Sequence, residues 1–324
     1  MSRRDFSFGQ MLIRFRTVLI LIALAAVFTA LKPIFVNPTN LLNMVKRSSY
    51  VAITAFAQTY IITLAVLDLS SGSIAACVGV GLAYLLRAGV PLIPAIFICV
   101  AMSLLMGFIN GFIAVKGKIA PFLVTLATMN IYRGAALTVT SGRTVSIKVP
   151  GFADFFGNGS VLGVIPTPVI IMAVLFVAAW FLYNKTKFGF YCRCIGGNEE
   201  AAKVAGINID RVKILAFMLS GFLACISGLI LAALMNAGIP DIGSDLSLDA
   251  IAAVVLGGTA IAGGIGTMWG TVGGTMIMAI LNSGLALLGA GTQLQVLVKG
   301  VVIILAVLMD NTLKSRTMAI KQLK

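Results

Sequence analysis

The 324-residue sequence contains no histidine, and this absence excludes histidine-based acid–base catalysis and metal ligation by histidine. Charged residues are also scarce at 10%, against about 25% in a typical soluble domain. Apolar residues reach 60%, so too few polar side chains are present to cover a globular surface in water. The composition therefore predicts an all-α polytopic membrane protein, because helices satisfy their own backbone polar groups in lipid.

Cysteine is infrequent, with five residues in the chain. Cys192 and Cys194 lack the spacing of a zinc or thioredoxin-type motif, and the other three lie in apolar runs where a small buried side chain is expected. We therefore predict no disulfide scaffold, no metal site and no cofactor. The excess of 24 Lys and Arg over 10 Asp and Glu is typical of the cytoplasmic loops of a membrane protein, so no nucleic-acid partner is predicted.

The sequence also lacks a phosphate-binding loop. The nearest fragment, Gly117–Ile119, has neither the upstream glycine nor the following hydroxyl of the motif G-x-x-x-x-G-K-[ST]. The segment Gly264–Gly270 has the wrong spacing for a dinucleotide loop, and Gly266, Gly270 and Gly274 at four-residue intervals favour close helix packing. The chain is therefore not expected to hydrolyse ATP by itself.

Apolar stretches long enough to cross a bilayer, at about 20 residues each, predict about ten transmembrane helices. The predicted spans are Thr17–Leu31, Ser48–Leu67, Ser73–Leu86, Pro91–Val115, Ile119–Thr140, a sixth that follows the polar stretch Ser141–Ile165 and ends at Tyr183, Ile214–Met235, Ala250–Ile261, Met268–Leu288 and Leu294–Met309. Several are short or broken by glycine, so eight or nine spans remain as alternatives.

Ten spans with a cytoplasmic N-terminus place the C-terminus and the basic segment Lys185–Lys213 in the cytoplasm as well, in agreement with the positive-inside rule. One loop disagrees, because Lys46 and Arg47 then lie outside. Spans 2–5 and spans 7–10 form two sets of four that are offset by five spans. Since an odd offset reverses the orientation, the two sets are compatible with inverted repeats, which many transporters contain.

The acidic residues lie mostly at span ends, a distribution that disfavours an ion-coupled carrier, which needs titratable groups within the membrane. Asp68 and Asp249 are the two that lie close to apolar runs. Asp68 precedes Ser70 and Ser73 in a segment whose residue types cap helix starts. Two interpretations stay open for it: a structural cap before the third span, or a polar break that lines a translocation path. Asp249 has the same two interpretations at the eighth span.

Arg133 lies near the outer end of the fifth span and shares a helix face with Asn130, three residues earlier. This face would contact a solute or a partner near the exit of a path, or else Arg133 extends to the lipid headgroups. Lys299 is the one charged residue in the last three spans. It is predicted to reach the membrane surface or to form an ion pair inside the helix bundle.

The segment Lys185–Lys213 is predicted to be a cytoplasmic loop that contains a short helix. Asn198 is predicted to cap this helix, Glu199 and Glu200 lie in its first turn, where negative charge suits the helix dipole, and Gly206 ends it. A short amphipathic helix between two spans is a docking element for a partner outside the membrane. A solvated loop without a partner is the alternative.

The residues Gly196–Ala201, followed by Gly206–Asn208, resemble the cytoplasmic signature of the permeases of ribose-type ABC importers. Further matches extend this resemblance over most of the chain: Asp68–Ser73, Pro121–Leu126, Arg133–Gly134, Thr167–Pro168, Leu248–Thr259 and Ala262–Gly264. The chain departs from the family at Ala65–Leu67, where a glycine and an isoleucine commonly precede the aspartate.

The resemblance implies a type II ABC importer-like fold, with one permease domain over residues 1–324 and a cytoplasmic coupling loop at residues 185–213. It implies that a cytoplasmic ATP-binding subunit is contacted by Gly196, Gly197, Asn198, Glu199, Glu200, Ala201 and Gly206. A second copy of the chain and an extracytoplasmic sugar-binding protein are the other implied partners. The residues that we expect along the translocation path are Asp68, Ser70, Ser73, Asn130, Arg133 and Asp249.

The function implied by the resemblance is import of ribose or a related monosaccharide across the bacterial cytoplasmic membrane, with hydrolysis of ATP in the partner subunit. The alternatives are import of another sugar, a nucleoside or a sugar-like signal molecule. An ion-coupled secondary carrier is the rival from another class, and copurification with an ATPase would separate it from an importer. The residues leave open which sugar is carried and whether the permease pair is homomeric.

Overall fold

The computed structural model describes residues 8–161, 163–302 and 304. Most of them are helical. The helices are α1 (Phe8–Leu31), α2 (Pro38–Thr63), α3 (Ser71–Arg87), α4 (Leu92–Lys116), α5 (Pro121–Thr140), α6 (Thr167–Lys185), α7 (Lys187–Gly197), α8 (Glu199–Val204), α9 (Ile209–Met235), α10 (Leu246–Leu256), α11 (Met268–Leu287) and α12 (residues 292–302).

Four two-residue strands form two antiparallel pairs outside the helices. β1 (Val145–Ser146) pairs with β4 (Ala237–Gly238), and β2 (Ser160–Val161) pairs with β3 (Ile165–Pro166). The first pair joins the long polar segment after α5 to the chain that leaves α9. The helices that enter and leave these segments are therefore tied together at one end of the bundle.

The first nine predicted spans each overlap a helix of the described part of the chain, which confirms a polytopic all-α membrane protein. Five helices, α4, α5, α6, α9 and α11, are long and apolar enough to cross a membrane, while α1, α3 and α10 contribute shorter apolar stretches. The tenth predicted span, Leu294–Met309, lies only partly within the described residues, and the predicted cytoplasmic C-terminus lies outside them.

The predicted bounds of the second span were wrong at both ends. Helix α2 begins at Pro38, where the Asn37 side chain accepts a hydrogen bond from the backbone N–H of Thr39 at 2.9 Å. Lys46 and Arg47 therefore lie within a helix and not in a loop. The helix ends at Thr63, so the residues before Asp68 form an interruption between α2 and α3 instead of the last turn of a span.

The eighth span also begins and ends earlier than predicted. Helix α10 starts at Leu246, so Asp249 lies in its first turn and does not cap it. The helix stops at Leu256 because two glycines follow, and Gly258 has a φ of +94°, a left-handed conformation that disfavours residues with a Cβ. An 11-residue helix of this kind is too short to cross a bilayer alone.

Helix α2 lies at the centre of the bundle and carries polar side chains on its buried faces. Thr54 donates to the hydroxyl of Ser227 on α9 at 2.9 Å, and the Thr59 hydroxyl is 2.6 Å from that of Thr271 on α11. These hydroxyl pairs hold helices together where lipid provides no partner for a polar group. The polarity of α2 is thus a consequence of its central place in the bundle.

Helices of each predicted set of spans pack on the leading helix of the other set. Helices α3 and α4 of the first set pack on α9, the leading helix of the second set. Helices α10 and α11 of the second set pack on α2, the leading helix of the first. This reciprocal packing brings the starts of the two short helices, α3 and α10, close together.

The predicted close packing at the glycines of α11 is confirmed for two of the three. A Cβ at Gly270 would overlap the carbonyl of Gly257, and one at Gly274 would overlap the carbonyl of Ala253. Helix α11 therefore lies against the backbone of α10 and of the turn that follows it. Gly266 lies in the loop before α11 and not on the helix.

Candidate functional site: helices α7 and α8 and the interrupted span

The predicted cytoplasmic segment folds as two short helices, α7 and α8, that lie between α6 and α9. Asn198 caps α8 as predicted, because its side chain accepts a hydrogen bond from the backbone N–H of Ala201 at 2.9 Å. Gly206 follows α8 with a φ of +81°, which ends the helix as predicted. The segment is therefore a compact helical element and not an extended loop.

Helix α7 is held against the end of α6. Arg193 donates to the backbone carbonyl of Tyr183 at 2.8 Å, and its guanidinium lies 4.9 Å from the centre of the Tyr183 ring. Gly189 faces the same carbonyl so closely that a Cβ would overlap it. The glycine between Phe188 and Phe190 is thus explained by the close approach of the two helices.

Gly196 is the point at which α7 meets the transmembrane bundle. A Cβ at this position would overlap the carbonyl oxygen of Thr63, the last residue of α2, and would lie 2.7 Å from the backbone nitrogen of Gly264. That nitrogen donates to the same Thr63 carbonyl at 2.9 Å. The C-terminal end of α2 and the loop after α10 are therefore joined directly beneath α7.

The remaining predicted coupling residues lie on the outer surface of this element. Exposed positions are Gly197, Asn198, Glu199, Glu200, Ala201 and Gly206. Glu199 forms an ion pair with Lys213 at the start of α9, with an N–O distance of 2.8 Å. Val204, at the end of α8, is 88% exposed. The surface thus combines acidic, small and apolar groups.

The thiols of α7 give a direct test of its packing. Cys192 is buried and Cys194 is half-buried, and burial raises the pKa of the Cys192 thiol to about 12. Because the thiolate is the reactive form, we expect a maleimide near neutral pH to modify Cys194 and to spare Cys192, as measured by peptide mass mapping. Equal modification of both thiols in the folded protein would contradict this packing.

The second part of the site is the interruption between α2 and α3. The chain leaves α2 through Ala65, which has a φ of +58°, and reaches α3 after Asp68. The Asp68 carboxylate is buried and accepts three hydrogen bonds: from the Ser70 N–H at 2.8 Å, from the Ser70 hydroxyl at 2.6 Å and from the Ser220 hydroxyl of α9 at 2.6 Å. Asp68 thus connects the start of α3 to α9.

The hydrogen bonds continue from Ser70 into the first set of helices. Asn110 of α4 donates to the Ser70 hydroxyl at 2.7 Å, and the Tyr132 hydroxyl of α5 donates to the Asn110 side-chain oxygen at 3.1 Å. Gln58 of α2 donates to the backbone carbonyl of Asp68 at 2.7 Å. The interruption is therefore fixed by side chains from α2, α4, α5 and α9.

The start of α10 is linked to the same interruption. The hydroxyl of Ser247 donates to the backbone carbonyl of Leu69 at 2.8 Å and accepts from the backbone N–H of Gly72 at 2.9 Å. The hydroxyls of Ser71 and Ser247 lie 2.9 Å apart. The starts of the two short helices, α3 and α10, are thus hydrogen-bonded to each other in the interior of the bundle.

The structure does not gather the predicted path residues into one lining. Asp68, Ser70 and Ser73 are buried together at the start of α3. Asn130 is exposed on α5 and donates to the carbonyl of its own helix at Leu126.

Arg133 and Asp249 lie elsewhere. Arg133 donates to the carbonyls of Pro240 and Ile242, both at 2.8 Å, and so joins α5 to the segment before α10. Asp249 forms an ion pair with Lys299 of α12 at 2.9 Å, so the structure shows the second of the two alternatives for this lysine, an ion pair inside the bundle.

Sequence reasoning missed the helix partners of the interrupted span. Asn110 and Ser220 each lie in an apolar run, whereas Tyr132 and Ser247 have charged residues nearby, and none of the four was singled out. A polar side chain within a long apolar helix was the available signal, since such a group needs a partner in the bundle. Which partner it finds depends on how the helices are arranged, and no spacing in the chain encodes that.

Taken together, the helix bundle, the two short helices that meet at its interior and the helical segment outside it define a multi-pass membrane permease. A family model described as the permease component of the branched-chain amino acid transport system matches residues 40–307. The chain belongs to this permease family.

Individual relatives match along nearly the whole chain. The ribose import permease protein RbsC of Haemophilus influenzae is 38% identical over 315 residues, which cover 96% of this chain and 97% of that protein. RbsC of Escherichia coli is 40% identical over 299 residues, 91% of this chain and 93% of that protein. RbsC of Bacillus subtilis is 40% identical over 292 residues, 90% of each chain. No solved protein structure matches this chain.

Proposed function

We propose that this chain is the permease subunit of an ATP-driven, binding-protein-dependent importer for ribose or a related monosaccharide. The relatives that carry the name ribose import permease support this substrate class at 38 to 40% identity. A relative named as a xylose transport system permease, from Escherichia coli, is 32% identical over 87% of this chain. A pentose is therefore the substrate to test first.

The contacts of α7 and α8 are the observation that supports coupling to an ATPase. On one side, Gly196 lies against the end of α2 and the loop after α10. On the other side, Glu200 and Val204 are exposed. A partner that moves this element would therefore move the C-terminal end of α2, in the first set, and the loop after α10, in the second set. We propose that residues 185–213 form the coupling loop within a single permease domain.

The partners follow from this assignment. A cytoplasmic ATP-binding subunit contacts α8, a sugar-binding protein docks on the opposite face of the membrane, and a second copy of the chain completes the pathway. Both termini are then cytoplasmic, as the basic segments favour. Asp68 and Ser70 shape the path by fixing the start of α3, with Ser73 buried beside them. Asn130, Arg133 and Asp249 lie along its outer part.

Charge reversal on α8 tests the docking surface. Glu200→Lys is expected to weaken copurification of the ATP-binding subunit about three- to ten-fold at low salt, with a smaller effect at high salt, because interface charges act through screened attraction. Reversal of both Glu199 and Glu200 should weaken it further. The measurement is the amount of ATPase retained by the tagged permease together with sugar-stimulated ATP turnover.

Glu199 needs a control of its own because it already pairs with Lys213. The exchange Glu199→Lys with Lys213→Glu keeps the pair and changes only the position of each charge. Should Glu200→Lys and the double reversal retain the ATPase as the wild type does at every salt concentration, α8 is not the docking surface.

A further inference from the structure

A cavity of about 720 Å³ lies where helices α3 and α5 end. It is bounded by the last turn of α3, the last residues of α5 and the segment 143–149, which contains β1. Helix α4 starts at this end of the bundle, and its last residue, Lys116, pairs with Asp210 at the start of α9, close to α8. The cavity therefore lies at the end of the bundle opposite α7 and α8.

Three cations line this cavity, and the described lining residues include no acid. The cations are Arg87 in the last turn of α3, Arg143 after α5 and Lys148 after β1. All three are exposed, and none forms an ion pair with a residue that the structure describes. Because like charges repel one another, three cations around one cavity without a counter-charge favour the binding of an anion.

The ends of the two helices reduce this positive charge without cancelling it. A helix C-terminus carries roughly half a negative charge, so the ends of α3 and α5 contribute about one negative charge against three positive ones. Stabilisation of the last turn of α3 accounts for Arg87 alone. One or two phosphate groups would neutralise the surplus of about two positive charges that remains.

The segment after α5 presents its cation on a fixed backbone. Strand β1 pairs with β4, and the backbone N–H of Ile147 donates to the carbonyl of Asn236 at 2.9 Å. Val145 and Ile147 are buried, whereas Ser146 and Lys148 are exposed. Since neighbouring side chains of an extended chain point to opposite faces, burial of Ile147 keeps Lys148 at the surface of the cavity.

Hydroxyl groups accompany the cations in the lining. Ser141, Thr144 and Ser146 are exposed there. Tyr84 of α3 donates to the carbonyl of Val139 on α5 at 2.9 Å, so the two helix ends form one wall. Guanidinium, ammonium and hydroxyl groups are the donors from which phosphate oxygens accept hydrogen bonds. The donor set is thus of the kind that binds phosphate.

The side of the membrane makes these cations unusual. Basic residues of membrane proteins collect on the cytoplasmic side, and the proposed function places α7 and α8 there, so the cavity lies on the other side. Val139, in the wall of the cavity, is 62% exposed, and an exposed apolar group on a transmembrane helix suits contact with an acyl chain. A lipid headgroup therefore has both parts of its chemistry matched here.

We propose that this cavity binds the phosphate group of an anionic lipid headgroup or free phosphate. Arg143 and Lys148 donate to the phosphate oxygens, and the bound group joins the ends of α3 and α5 to the segment that contains β1. The assignment of the site to the extracytoplasmic side rests on the proposed function, but binding itself does not depend on it.

Lipid binding to the purified full-length permease tests this proposal by native mass spectrometry. Dioleoylphosphatidylglycerol is titrated into the detergent-solubilised protein and compared with dioleoylphosphatidylcholine, which has no net charge. We expect the anionic lipid to bind at least about three-fold more tightly, and Arg143→Gln to weaken its binding about three- to ten-fold, because one exposed charge-assisted hydrogen bond is lost. Lys148→Gln serves if Arg143→Gln cannot be purified.

The matched control is Lys32→Gln. Lys32 is an exposed cation that follows α1 at the same end of the bundle and does not line the cavity. Its replacement should leave the affinity for the anionic lipid within about two-fold of the wild type, as for a surface substitution.

Inorganic phosphate tests the second source of the ligand. A ligand that binds the folded state raises the apparent unfolding temperature, so free phosphate should raise it more in the wild type than in Arg143→Gln, with sodium chloride at equal ionic strength as the reference. Specific binding of the lipid alone identifies the headgroup as the ligand. Stabilisation by phosphate, with or without lipid binding, identifies the phosphate group itself, and both results support the site.

Two results would overturn the proposal. The first is an equal effect of Arg143→Gln and Lys32→Gln on lipid affinity, together with no specific stabilisation by phosphate. The second is weaker retention of the sugar-binding protein by Arg143→Gln in vesicles of phosphatidylcholine alone, with lipid and phosphate binding unchanged, because the cations would then serve an acidic protein surface. Absence of ATP-dependent uptake in the wild type would overturn the importer and leave these binding results standing.

Discussion

Replacing Gly196 with alanine is expected to abolish sugar-stimulated ATP turnover, whereas the same replacement at Gly197 should leave it within about two-fold of the wild type. The two glycines are adjacent, but their surroundings differ. A Cβ at Gly196 would overlap the carbonyl oxygen of Thr63, while a Cβ at Gly197 would have no atom within 4 Å. Backbone atoms cannot move aside as a flexible side chain can, so α7 must separate from the end of α2.

Substitutions at the two glycines also distinguish the packing of α7 on the bundle from the docking of the ATPase. Gly196→Ala breaks the contact between α7 and the bundle, and Gly197→Trp leaves that contact intact but places a large ring on the exposed surface. We expect Gly196→Ala to retain the ATPase and to lose stimulation by sugar, and Gly197→Trp to lose the ATPase itself. Full stimulation in Gly196→Ala would mean that α7 does not transmit motion to α2.

Replacing Asp68 with alanine is expected to destabilise the protein by about 3 kcal/mol or more and to abolish transport, because each buried donor left without a partner costs about 1–3 kcal/mol. Three donors would lose their acceptor: the N–H and hydroxyl of Ser70 and the hydroxyl of Ser220. The start of α3 would then lose its connection to α9.

Asp68→Asn is the matched variant. The asparagine oxygen accepts from Ser70 as before, and its amide donates to the Ser220 hydroxyl, which can rotate to accept. We therefore expect this variant to stay within about 1 kcal/mol of the wild type and to retain most of its uptake. The measurements are the apparent unfolding temperature in detergent and ATP-driven uptake in proteoliposomes. Wild-type behaviour of Asp68→Ala in both would contradict a structural role for this carboxylate.

The sequence was sufficient to predict where most of the long helices lie, but not all of their bounds and not how they pack. The length of the apolar runs predicted ten spans, because a run of about 20 apolar residues is typical of a helix that crosses a bilayer. The predicted bounds of α2 and α10 were wrong. Helix α2 continues through Lys46 and Arg47, and helix α10 begins at Leu246. Hydropathy reports the affinity of a segment for lipid, and neither a buried polar helix nor an 11-residue helix follows that signal.

The sequence predicted the local features of the candidate site but not its long-range contacts. The cap at Asn198 and the stop at Gly206 are local, so the residue types around them were enough. The contact of Gly196 with Thr63 and the hydrogen bond from Ser220 to Asp68 join residues more than a hundred positions apart. Only the arrangement of the helices brings such residues together, and residue spacing alone does not specify it.

The most direct test of the proposed importer is uptake of D-ribose by proteoliposomes that contain the purified permease. Uptake is measured with the ATP-binding subunit, the sugar-binding protein and internal ATP all present, and again with each omitted in turn. We expect uptake only when all three are present, because the chain has no phosphate-binding loop of its own. We expect none from a proton or sodium gradient, because the acidic residues lie mostly at span ends. Ribose uptake by the permease alone, driven by an ion gradient, would contradict the assignment.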